Sequence, residues 1–135
     1  MRVPSARTAG FTLIELVLTL TIIGVLTAII TPSFNTLRIR AKETNVKATA
    51  NALQIALESY YLNNGIYPAS STINTLMTTL STDGVWPSGG TKNPFTQQGY
   101  SDSDSQGRIV YTLTNGIYQI TVYGHTNQVI MTYPN

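Results

Sequence analysis

The chain has 135 residues, 10% of them charged, a formal net charge of +2 and no cysteine. That length holds one domain with an appendage, and the missing thiols exclude disulfide staples and thiol chemistry. The positive excess is local: without Arg2 and Arg7, six Lys/Arg face six Asp/Glu, so bulk charge carries no nucleic-acid signal once residues 1–10 are removed.

The first element is an apolar run, residues 11–30, in which Glu15 is the only ionisable side chain. As a helix rising about 1.5 Å per residue it reaches roughly 30 Å, the thickness of a bilayer's hydrocarbon core. The basic leader ahead of it keeps the N-terminus cytoplasmic. A secretory signal places its small-residue cleavage site after the apolar run. Here Ala9 and Gly10 precede the run, so a cut after Gly10 leaves the apolar segment in the mature chain. Glu15 is costly there, at roughly 2.5–3.5 kcal/mol for a charge deep in a bilayer. Two readings account for it. Either its carboxylate reaches the headgroups, or it meets a cation during assembly, and the new α-amine of Phe11 on a neighbouring copy is the nearest one a processed chain offers.

The stretch Gly10–Phe11–Thr12–Leu13–Ile14–Glu15, followed by the spanning run, resembles the prepilin N-terminus of type IV pilins and type II secretion pseudopilins. The likeness is close over residues 7–34. It implies cleavage between Gly10 and Phe11 by prepilin peptidase, N-methylation of Phe11, and a role for Glu15 in docking each subunit against the Phe11 amine of its neighbour. Gly24 and Pro32 match positions where pilin helices kink or melt on assembly. Gly is a poor helix former and Pro lacks a donor N–H. Thr19, Thr21 and Thr27 can bond back to helix carbonyls and ease bending.

Residues 35–63 contain no Pro and end in Asn63–Asn64–Gly65, a helix stop. Val46, Ala50, Leu53, Leu57 and Tyr60 form one apolar face, and Glu43 and Lys47 make an i,i+4 pair on another. One long helix is therefore expected over residues 12–63, interrupted near Pro32, hydrophobic all round in its first half and amphipathic in its second. Tyr67–Pro68 ends it. Ser70 or Ser71 is then placed to cap a short helix carrying Ile73, Leu76, Met77 and Leu80. Residues 83–107 have the Gly, Pro, Ser and Asn content of a long loop, functional or partly disordered. Three strands follow, at 108–114, 117–123 and 128–133, with Asn115–Gly116 as a hairpin turn.

The expected fold is α+β, a long N-terminal helix packed against a small three-stranded antiparallel sheet. It also resembles the pilin fold. The domains divide as leader 1–10, hydrophobic assembly helix 11–34 and globular domain 35–135, with a connecting loop at 64–107.

No catalytic set is readable, and the lone His125 falls in a turn, so an enzyme is not expected. Asp102 and Asp104, with Asp83 as a third candidate, offer carboxylates for calcium, as the likeness to major pseudopilins implies. No other cofactor is called for. Half of the eight tyrosines, Tyr111, Tyr118, Tyr123 and Tyr133, fall in strands and read as packing residues. The resemblance implies a structural subunit of a type IV pilus that polymerises with copies of itself, made as an inner-membrane precursor and exported as an extracellular filament by its assembly machinery. The alternatives are a major pseudopilin of a type II secretion system, or a minor tip pilin gripping a ligand or DNA.

Overall fold

The computed structural model describes residues 10–134. The expected leader lies, apart from Gly10, outside them. The elements run α1 (Leu13–Asn64), α2 (Ile73–Thr82), β1 (Ile109–Thr114), β2 (Ile117–Tyr123) and β3 (Val129–Tyr133). The chain divides into two compact units, with the boundary between Leu37 and Arg38 inside α1.

The first unit is helical from Leu13, and Leu13–Ile30 is long and apolar enough to cross a membrane. The side chains of residues 13–30 are all exposed. The expected interruption at Pro32 does not occur: α1 is a single helix through both Gly24 and Pro32. A proline removes one N–H donor, and the helical residues on either side outweigh that loss. Thr19, Thr21 and Thr27 donate their hydroxyls to the carbonyls of Leu16, Val17 and Ile23 at 2.8, 2.8 and 2.7 Å, as their spacing suggested.

The second unit is built on the amphipathic stretch of α1. Val46, Ala50, Leu53 and Leu57 are fully or almost fully buried. They share one core with Ile73, Leu76 and Leu80 of α2 and with Ile109, Ile120 and Val122 of the sheet. The sheet order is β1-β2-β3, all antiparallel. Alternate residues of β2 point inward: Tyr118, Ile120 and Val122 are buried, while Ile117 and Gln119 are exposed. The hairpin pairs Thr114 with Ile117. Asn115 and Gly116 adopt φ of 53° and 79°, the pair of positive values that a two-residue type I′ turn requires.

Two local readings need correction. The cap of α2 is Thr72, not Ser70 or Ser71: its side chain accepts from the Thr75 N–H. Glu43, expected to pair with Lys47, instead accepts the His125 N–H at 2.9 Å, which ties the β2–β3 turn to α1.

The stretch 83–107 is an ordered layer. Trp86 and Tyr100 enter the core from it. Its centre is Asn93, which is fully buried. Asn93 Nδ2 donates to Asp104 Oδ2 at 2.9 Å and to the Gln106 carbonyl at 2.8 Å. Its Oδ1 accepts the Phe95 N–H at 2.9 Å, and its N–H donates to the Gln98 carbonyl at 2.8 Å. A buried amide with every group paired fixes one loop conformation, because each lost partner leaves a desolvated polar atom. Gly107, at φ 66°, closes against this amide. A Cβ there would lie 2.6 Å from the Phe95 ring and 2.8 Å from Asn93 Oδ1.

Candidate functional site

The start of α1 gathers Gly10, Phe11, Thr12 and Glu15. Thr12 precedes the helix, and its carbonyl accepts the Leu16 N–H at 3.2 Å. Glu15 Oε2 accepts the Thr12 N–H at 2.9 Å and the Thr12 hydroxyl at 2.7 Å. The Glu15 N–H donates back to Thr12 Oγ1 at 3.3 Å. This is a reciprocal capping box, Thr-x-x-Glu, satisfying two of the helix's orphan donors. The negative carboxylate also lies at the positive end of the helix dipole.

Glu15 therefore has a partner within its own chain, which the sequence reading missed. The signal was present: Thr three residues ahead of Glu, before an apolar run, is the capping-box pattern. All three bonds of the box use Thr12 and Glu15, so a cut between Gly10 and Phe11 leaves them in place. Only Oε2 accepts in the box, which keeps Oε1 for another donor. Phe11 is exposed beside it.

The three aspartates considered for calcium have separate tasks. Asp83 caps the C-terminus of α2, and its oxygens accept from Asn63 and Asn64 at 3.4 and 3.2 Å. Asp102 Oδ2 accepts the Ile73 N–H at the other end of the same helix, at 3.1 Å. Ten residues of helix separate those ends by roughly 15 Å. Asp104 Oδ2 holds Asn93 and the Ser101 N–H at 2.9 and 3.0 Å. Asp83 thus cannot share an ion with Asp102, and among the described residues no group of three or more His, Asp or Glu side chains converges. The three residues do not fit a common calcium site.

His125 stacks on Phe95 with ring centroids 5.8 Å apart, and the Lys42 ammonium lies 5.3 Å from the other ring's centroid. The tyrosines pack. Tyr118 and Tyr67 both donate to Glu58, at 2.8 and 3.1 Å, and Tyr111 donates to the Pro68 carbonyl at 2.9 Å. Burial, then the Glu58 carboxylate, pushes the Tyr118 phenol well up. Burial pushes Tyr111 up to about 12.

Comparison with known proteins decides how the N-terminal cluster is read. Residues 5–31 match the prokaryotic N-terminal methylation motif. The chain carries a prepilin-type N-terminus. The chain is 38% identical over 63 residues to the type IV major pilin protein PilE of Neisseria gonorrhoeae, covering 47% of this chain and 38% of that one. It is 39% identical over 61 residues to the type IV major pilin protein PilA of Myxococcus xanthus, covering 45% and 28%. It is 37% identical over 62 residues to the type II secretion system core protein G of Pseudomonas aeruginosa, covering 46% and 44%. The matched stretch spans less than half the length of each of these relatives. No solved structure matches the chain. The prepilin-type motif contains Gly10, Phe11 and Glu15 together, and the capping box places Glu15 beside Phe11 at the head of the exposed apolar helix.

Proposed function

We propose that this chain is a structural subunit of an extracellular type IV pilus, polymerising through residues 11–34 after prepilin peptidase removes residues 1–10. The observation that carries the reading is the prepilin-type motif over residues 5–31, whose apolar helical stretch, residues 13–30, has every side chain exposed. Such a surface needs a bilayer before assembly and other apolar helices afterwards. A single-pass inner-membrane precursor with a cytoplasmic N-terminus supplies the first, and a bundle of copies supplies the second. Glu15 keeps its capping box and turns Oε1 to the Phe11 amine of a neighbour, a charge-assisted bond made strong by apolar surroundings. Gly24 and Pro32 are the positions where α1 gives way as the bundle packs, because the first adds backbone freedom and the second lacks an N–H.

A second reading, a major pseudopilin of a type II secretion system, is favoured by the match to the Pseudomonas protein, of which this chain covers the larger share. Intact mass and N-terminal sequence of filaments sheared from cells separate the readings. A chain starting at methylated Phe11 and abundant in the sheared fraction is the expected result. The same processed chain confined to the membrane moves the assignment to the pseudopilin, and a chain in the membrane that still starts at Met1 removes both.

A further inference from the structure

The second unit carries two apolar surfaces that its own fold leaves uncovered. One is a groove of about 590 Å³ beside α1, floored by Ala48 and Ala52 and walled by Val85, Trp86 and Pro94. Its one charged lining residue is basic, Lys92, and no carboxylate lines it. The other is a knob at the C-terminal end of α1. Leu62 is 83% exposed, Ile66 67% and Ile117 68%, which is more than scattered surface residues require. Its charge is acidic. Glu58 borders the same recess as Ile117, Asp83 is bonded to Asn63 and Asn64 next to Leu62, and α1 has no Lys or Arg after Lys47.

We propose that the knob of one copy docks into the groove of the next copy. Apolar side chains meet an apolar floor kept shallow by two alanines, and an acidic rim meets a basic one, which fixes partner and register. Knob and groove lie roughly 20 Å apart along α1, counting from Ala48 to Leu62 at about 1.5 Å per residue. The contact is therefore heterologous: each copy added leaves one knob and one groove free, so the series grows as an open helix and does not close as a dimer. This proposal rests on the filament reading and names the surface by which the second units hold to one another.

Because the chain has no cysteine, pairs of introduced thiols report this contact without background. The test variant is Leu62→Cys with Ala52→Cys, both exposed positions, treated in sheared filaments with a short bismaleimide. The expected result is a ladder of covalent multimers on a denaturing gel. Each single variant should stay monomeric, and so should the control pair Leu62→Cys with Thr112→Cys, the latter exposed on β1. Filaments formed in normal yield that give no ladder, or a control pair that ladders equally, overturn the docking. Absence of filaments from the unmodified chain removes the filament reading itself, and the docking with it.

Discussion

Between residues 13 and 30 of α1 every side chain is exposed although most are apolar. Between Val46 and Leu57 the same helix buries an apolar side chain every three or four residues. The second stretch follows the usual logic of a surface helix, one stripe inward and polar residues outward. The first has no polar face to offer water, and among the described residues no layer of its own chain covers it. The difference separates two sources of stability. Residues 46–57 are held by the fold of their own chain, whereas residues 13–30 await something outside it. The two carboxylates that anchor these regions differ in the same way. Glu58 is engaged by two phenols of its own unit, while Glu15 spends one oxygen on its capping box and keeps the other.

The largest effect that sharpens this contrast is expected at Glu15. Glu15→Gln retains a capping-box side chain but not the charge, and Glu15→Ala loses both. Both should abolish filaments in a shear assay while the membrane fraction still holds processed chain. Filaments of normal yield from Glu15→Gln would show that assembly needs the cap and not the charge. Next come leucines in the two regions. Leu53→Ala should cost roughly 2–5 kcal/mol of unfolding free energy, from lost burial and the cavity left behind. Leu20→Ala, on an exposed stretch, should leave the denaturant midpoint of the detergent-solubilised chain within about 0.5 kcal/mol of the original. Equal losses from the two would erase the distinction between the regions.

Asn93→Ala should cost about 1–3 kcal/mol, because it orphans the Phe95 N–H and the Gln106 carbonyl in a buried place. Limited proteolysis should then cut within residues 83–107 first. A smaller effect concerns pH. The phenols of Tyr111 and Tyr118 are raised in the folded state, chiefly by burial, so the fold binds their protons more tightly than the unfolded chain does. Their contribution is complete below the unfolded value of about 10 and is lost as pH rises toward the folded values. Thermal melts should thus be flat from these groups below about pH 10 and fall between about pH 10 and 12. Tyr111→Phe should flatten part of that fall. The smallest expected effect is calcium's. With Asp83 and Asp102 at opposite ends of α2, added calcium should leave Tm unchanged, and a rise lost in Asp102→Asn would place an ion at residues 101–107.

Much of this architecture was legible because it is local. The 3.6-residue spacing from Val46 to Tyr60 located the buried face of α1, and Asn115–Gly116 located the hairpin because few other pairs adopt two positive φ values. What escaped was set by distant neighbours or by competing local choices. Nothing around Asn93 announces that its amide will be sealed under Gly107. Asp83 looked like a partner for Asp102 only while the short helix between them had no ends. Thr72 won the cap over Ser70 and Ser71 because its own backbone is extended directly before Ile73. The capping box at Thr12 was readable, yet the search for a cation partner drew attention past it. Pro32 showed the limit of a breaker rule: one missing N–H does not end a helix that continues on both sides.

The most direct test of the central claim is the filament's own structure by electron cryo-microscopy, read at one place. The account predicts residues 13–30 in the filament interior against other copies, with Glu15 within hydrogen-bond reach of a neighbouring Phe11 amine. A filament in which these residues face solvent or lipid, or in which Glu15 contacts only its own Thr12, would contradict it.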